Sequence, residues 1–139
     1  MQLYGRHTWE HFARLWPTRD TDYAKLMNAV PKRIATRTTV DPSAWSAVIE
    51  GDPLAWAADE RTRRDVVVIG SLTLVRALAE AGLIDEYRLI TFPTVAGEGD
   101  RLPLTGDFHF TTVEPADRTT FTVLRRRTGS PGTEEGKAS

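Results

Sequence analysis

The run Val66-Val67-Val68-Ile69 constrains this chain more than any other stretch. Its side chains are β-branched, stiff at χ1 and too few for a helix, so they predict a strand. The lack of polar alternation predicts one buried on both faces. Gly70 and Ser71 end the strand. Leu74, Val75 and Leu78 then recur at helical spacing between residues 72 and 81, and Gly82 stands where a helix closes on a left-handed residue. Residues 87–92 form the next strand. Strand, helix and strand in about 30 residues is the size of a βαβ unit, which calls for parallel strands and an α/β fold.

The flanking segments fit that class. Residues 2–4 are a strand stub ended by Gly5, and Trp9, Phe12, Ala13 and Trp16 lay an apolar stripe on a helix that Pro17 stops. A short helix over 23–30 closes at Pro31, residues 33–39 and 45–49 read as strands, and Asp52 caps a helix with Pro53 in its first turn. After Pro93 comes a glycine-bearing loop at 96–100. Residues 108–113 and 120–126 then predict an antiparallel hairpin around a Pro-Ala-Asp turn. The sheet is therefore expected to be mixed and mostly parallel. Residues 1–127 form the expected domain, and 128–139, with no apolar side chain larger than alanine, read as a disordered tail.

At 139 residues the chain is the size of one domain, and such a domain buries about 68–70% of its unfolded surface. It contains no cysteine, which excludes a disulfide scaffold, a zinc ribbon and a thiol nucleophile. A net charge of −1 argues against a general nucleic-acid-binding surface. No window approaches the roughly 20 apolar residues of a membrane helix, and the N-terminus has no signal-peptide pattern, so a cytoplasmic protein without membrane or nucleic-acid partners is expected.

Two strand-to-helix turns carry similar chemistry: Gly5-Arg6-His7-Thr8 and Gly70-Ser71-Leu72-Thr73, the latter running on into Leu74. A helix N-terminus offers unpaired N–H groups and the positive end of the macrodipole, and glycine lets an anion approach the backbone. Arg6 adds a guanidinium fork and Thr8 a hydroxyl. Thr36-Arg37-Thr38, at the end of a predicted strand, could serve a third phosphate group. Three such turns suit a polyphosphate ligand, and a dinucleotide with an extra ribose phosphate, NADPH, fits better than a single phosphate. His7, Glu10 and His11 also spell the H-x-x-E-H spacing of some zinc hydrolases, but no supporting third-ligand pattern accompanies them, and no metal is expected. Trp9, Trp16, Trp45 and Trp56 lie in apolar stripes or strand-like segments and read as core.

These residues resemble the dihydrofolate-reductase-like superfamily. Gly5-Arg6-His7-Thr8-Trp9-Glu10 is similar to the GR-x-TWE signature of dihydrofolate reductase. The stretch DVVVIGSLTLVRALAEAGLIDEYRLITFPTVAGEGDRL, residues 65–102, is closer to the C-terminal reductase domain of the bifunctional riboflavin-biosynthesis deaminase-reductase (RibD-type) and its stand-alone relatives. KLMNAVPKRIATRT, residues 25–38, resembles the same branch.

The resemblance implies a three-layer α/β fold, with the mixed sheet flanked by helices and the hairpin at its C-terminal end. It also implies an NADPH-dependent reductase of a small heterocyclic substrate, similar to the 5-amino-6-(5-phosphoribosylamino)uracil reductase of riboflavin biosynthesis. Gly5, Arg6, His7, Thr8, Thr36, Arg37 and Thr38 would lie near the adenosine and pyrophosphate phosphates, with Arg6 and Arg37 on the 2′-phosphate. Gly70, Ser71, Leu72, Thr73 and Leu74 would line the pyrophosphate and nicotinamide half. Gly70-Ser71 stands where dihydrofolate reductase has a Gly-Gly pair with an unusual peptide bond, and no cis bond is expected here. Relatives begin with a further strand and a mobile loop ahead of the GR-x-T turn, so the first strand is expected to be missing, and no catalytic acid is named. The other reading is a truncated relative that binds nucleotide or dimerises without turnover. An open sheet edge favours pairing between chains, and a homodimer is expected.

Overall fold

The computed structural model describes residues 1–42 and 45–127, so the tail expected over 128–139 lies outside the described residues. The chain divides into two compact units, Met1–Leu83 and Ile84–Ser139.

The first unit is built on four parallel strands, β1 (Gln2–Gly5), β2 (Lys32–Ala35), β3 (Ala47–Val48) and β4 (Val67–Gly70), in the order β3-β2-β1-β4. Its helices are α1 (Arg6–Leu15), extended by a 3-10 turn at Trp16–Thr18, α2 (Asp22–Ala29), α3 (Pro53–Glu60) and α4 (Leu72–Glu80). Local chemistry sets their ends. The Ala24 N–H donates to Thr21 Oγ1 at 3.1 Å, and the Leu54 N–H donates to Asp52 Oδ1 at 3.1 Å. Gly82, at φ 70°, closes α4: the Leu83 N–H reaches the Leu78 carbonyl at 2.9 Å and the Gly82 N–H that of Ala79 at 3.0 Å. Strand β2 stops at Ala35, short of the expected 39, because the Thr36 hydroxyl accepts the Thr38 N–H at 3.1 Å and turns the chain.

Leu3, Tyr4 and Ile34 are fully buried in this unit, and Trp9, Phe12, Trp45, Val48 and Ile69 join the cluster around Tyr4 and Ile34. The Tyr4 ring meets Phe12 edge-on at 5.8 Å and Trp45 at 5.7 Å between centroids. Burial, reinforced by Tyr23, pushes its phenol up to about 12, so it stays neutral and donates to Gln2 Oε1 at 2.9 Å.

Lys32 is the unexpected member of this interior, at 2% exposure. Its Nζ donates to the Val30 carbonyl at 2.6 Å and sits 4.5 Å from the centre of the Trp45 ring. Burial lowers its pKa below the usual lysine value, so the cost of burying the charge is present at neutral pH and eases as pH rises toward that value. Lys32→Met is therefore expected to raise stability by about 1 kcal/mol at neutral pH, with the gain shrinking near pH 10. Chemical denaturation at both pH values measures it. A variant equally destabilised at both would show that the bonds to Val30 and Trp45 outweigh the burial.

The second unit is a three-stranded antiparallel sheet of β5 (Glu86–Thr91), β6 (Phe108–Ala116) and β7 (Thr119–Arg126), in the order β5-β7-β6. The expected hairpin is present and turns at Asp117, whose φ is 58°. Tyr87 packs edge-on against Phe108 at 5.7 Å. Glu86 accepts from Arg88 Nε and pairs with Arg125 Nη2, both at 2.7 Å, and the Arg88 hydrogen bond leads in holding its carboxyl below the usual range.

Two expectations are corrected here. The segment from β4 through α4 to β5 is not a βαβ unit in one sheet. β4 pairs with β1, the Val67 N–H meeting the Met1 carbonyl at 2.9 Å, whereas β5 makes a six-residue antiparallel ladder with β7. Among the described residues β4 and β5 each stand at the edge of their own sheet, so α4 does not connect two strands of one sheet. Nor is β4 buried on both faces: it is an edge strand of its sheet, and Val67 is 46% exposed.

Candidate functional site

Parallel pairing brings the C-terminal ends of β2, β1 and β4 side by side, with Ala35 opposite Gly5 and Gly70 opposite Tyr4. The turns leaving those ends hold all the site residues expected from the sequence. From β1 the sheet steps to β2 and β3 on one side, while β4 lies on the other, so β1 and β4 flank the point where strand order reverses. In open parallel sheets the crevice beyond the carboxyl ends at that point is where ligands bind.

The two glycine turns are packed directly on each other. A Cβ on Gly5 would lie 2.9 Å from Ser71 Oγ and 3.0 Å from the Ser71 backbone nitrogen, and one on Gly70 would lie 2.8 Å from Thr8 Oγ1. Gly70 also has a φ of 157°, so glycine is required at this crossing for both conformation and space. The Gly70–Ser71 peptide is cis, against the sequence expectation. The change from Gly-Gly to Gly-Ser, on which that expectation rested, leaves glycine at the first position, where φ and the approach of Thr8 require it.

α1 and α4 begin at this crossing, and neither has a side-chain hydrogen bond at its N-cap or an acidic residue in its first turn. α2 and α3 differ: Thr21 and Asp52 cap them, and Asp22 adds a negative charge to the first turn of α2. The helices at the crossing thus present uncapped positive ends, the feature that favours phosphate or carboxylate. Arg6, about one-third exposed, is held by Glu10 at 3.0 Å, and its Nη2 lies 3.2 Å from His7 Nε2. A guanidinium with five donors keeps several free for an anion while so held. Thr36 and Thr38 share a hydroxyl contact at 3.2 Å, and Arg37 is exposed at the tip of their turn. Leu72 and Thr73 are exposed on the first turn of α4, while Leu74 is half-buried.

The zinc arrangement of His7, Glu10 and His11 gains nothing from the fold: Glu10 is engaged by Arg6. Among the described residues no group of three or more His, Cys, Asp or Glu could hold a metal ion. Sequence reasoning passed over an open pocket of about 410 Å³ along α1, lined by Trp9, Glu10, Ala13, Arg14, Val40 and Asp41. Trp9 and Ala13 read as core from the apolar stripe, so no signal for it stood in the sequence. No helix among the described residues is long and apolar enough to cross a membrane.

Residues 3–132 match the family profile described as RibD C-terminal domain. Among solved structures, a protein provisionally described as a riboflavin biosynthesis protein from Shewanella sp. PV-4 aligns with a TM-score of 0.68 at 20% identity, over 91% of this chain and 73% of that one. Two forms of Acinetobacter baumannii RibD align with TM-scores of 0.57 and 0.55 at 17% and 16% identity. Each alignment covers 91% of this chain but 46% of the RibD chain, so this chain spans less than half of that protein. No curated protein matches. The likeness shows the dihydrofolate-reductase-like α/β fold.

Proposed function

This chain belongs to the RibD C-terminal domain family, and from that premise we propose that it is an NADPH-binding reductase domain acting in riboflavin biosynthesis. The observation that carries the reading is the meeting of two uncapped helix N-termini, of α1 and α4, at the β1–β4 switch point. The donor set suits a dinucleotide. Gly5 and Gly70 let the backbone approach the ligand, and the N–H groups of residues 6–8 and 72–74 face its phosphates. Thr8, Ser71, Thr36 and Thr38 supply hydroxyls. Arg6 and Arg37 flank the place for a 2′-phosphate, which distinguishes NADPH from NADH. When bound, the nicotinamide supplies the hydride, and the substrate is a small heterocycle or its ribose-derived sugar. The protein's own part at this site is to bind and orient the dinucleotide.

The test is a titration of the purified chain with NADPH and, in parallel, NADH, followed by tryptophan fluorescence, since Trp9 sits one turn from the glycine crossing. Binding of NADPH at least tenfold tighter than NADH, weakened in Arg37→Ala, is the expected result. A folded sample that binds neither dinucleotide would overturn the reading. Binding without hydride transfer to the pyrimidine substrate would instead mark a non-catalytic nucleotide-binding module.

A further inference from the structure

We propose that five aromatic rings of the first unit form a path along which an oxidising equivalent leaves the core and comes to rest on Tyr23, at the surface. Trp45, just ahead of β3, meets Tyr4 of β1 at 5.7 Å between centroids, and Tyr4 meets Phe12 of α1 at 5.8 Å. Phe12 meets Trp16, four residues on, at 6.4 Å, and Trp16 meets Tyr23 of α2 at 5.3 Å. Each spacing is that of rings in contact. The chain has no cysteine, so tryptophan and tyrosine are the side chains that yield one electron most readily. Four of the five rings are of these types, and Phe12 bridges Tyr4 and Trp16.

The surroundings of each ring set the direction. The Lys32 ammonium lies 4.5 Å from the centre of the Trp45 ring, so a positive charge left on that ring is repelled in an interior that screens weakly. Tyr4 is fully buried and its hydroxyl donates to Gln2 Oε1 at 2.9 Å. An amide oxygen accepts a hydrogen bond but is too weak a base to take the proton, and a phenol that keeps its proton is a poor resting place for the oxidation. Trp16 Nε1 is buried without an acceptor among the described residues. The oxidised Trp16 ring therefore keeps its proton and remains a strong oxidant. Tyr23 is 60% exposed, and water takes its phenolic proton as its electron leaves.

The chemistry balances in three steps. A one-electron oxidant takes an electron from Trp45 or Trp16. Tyr23 then returns one electron to the tryptophan and one proton to water, which leaves neutral tryptophan and a tyrosyl radical. A soluble thiol gives that radical a hydrogen atom, restoring the phenol and carrying the oxidation away as a thiyl radical. The interior that holds β1 and α1 together is thereby spared, whatever ligand the glycine crossing takes.

Pulse radiolysis of the full chain in azide solution tests the path, because the azidyl radical takes one electron from tryptophan and becomes azide. The tryptophanyl absorption should give way to the tyrosyl absorption at a rate independent of protein concentration. In Tyr23→Phe the tyrosyl signal should be lost. In Trp16→Phe the transfer phase should be lost although Tyr23 is still exposed. Both substitutions keep a ring in place, and an unchanged circular dichroism spectrum verifies the fold. A tyrosyl radical that persists in Tyr23→Phe, or that grows at the parent's rate in Trp16→Phe, would overturn the proposal. So would growth that quickens with protein concentration, or a tryptophanyl radical that decays with no tyrosyl radical formed.

Discussion

Gly70→Val is expected to lower stability by about 2–4 kcal/mol, the sum of an unfavourable backbone conformation and an overpacked contact. The residue's φ is 157°, and its Cβ would fall 2.8 Å from Thr8 Oγ1, on the first turn of α1. Relief requires Thr8 to move away from Gly70, which parts the two turns that meet beyond β1 and β4. Dinucleotide affinity should fall with stability, because both helix N-termini are displaced from the place where they converge. Gly82→Ala separates the two causes. Gly82 has a φ of 70° with nothing within 4 Å of its Cβ position, so that variant meets the backbone cost alone, about 1 kcal/mol. Thermal and chemical denaturation of both variants beside the parent measure the difference, and a Gly70→Val protein as stable as the parent would contradict the close packing of the turns.

Arg6→Ala should weaken NADPH binding about 10–100-fold, the range corresponding to loss of charge-assisted hydrogen bonds worth about 1.5–3 kcal/mol. NADH, which lacks the 2′-phosphate, should lose much less. Stability should change little, because the Arg6–Glu10 ion pair is a partly exposed i,i+4 contact of the kind worth about 0.3–0.5 kcal/mol. Arg6→Lys tests the geometry: it keeps the charge but loses the planar fork, so an intermediate affinity is expected. Glu10→Gln frees the guanidinium from its carboxylate and should leave NADPH binding at least as tight as in the parent. Isothermal titration with both dinucleotides separates these outcomes. Equal loss of NADPH and NADH in Arg6→Ala would place the side chain elsewhere on the ligand.

Much of the fold was legible because its signals are local. The β-branched run before Gly70, the stripe through Leu74, Val75 and Leu78, the cap at Asp52 and the stop at Gly82 each act within a few residues, through sterics or a short-range hydrogen bond. The glycine turns were visible for the same reason, as was the chemistry of Arg6, Thr8 and Arg37. What the sequence by itself determined is therefore the kind of each element, most of its ends and the groups its turns carry.

The tertiary structure alone decided how those elements pair. Val67 and Ile69 read as an interior strand, but among the described residues β4 pairs on one side only, with β1, and stands at the edge of its sheet. Lys32 carries no sign in its neighbours that it would be buried over Trp45. The bulge at Thr111 exists only in the register between β6 and β7, and the contact between Gly70 and Thr8 only once β1 and β4 lie side by side. Pairing is a competition among segments distant in the chain, settled by which ladders and buried contacts coexist in one packing, and no short stretch of residues contains that comparison.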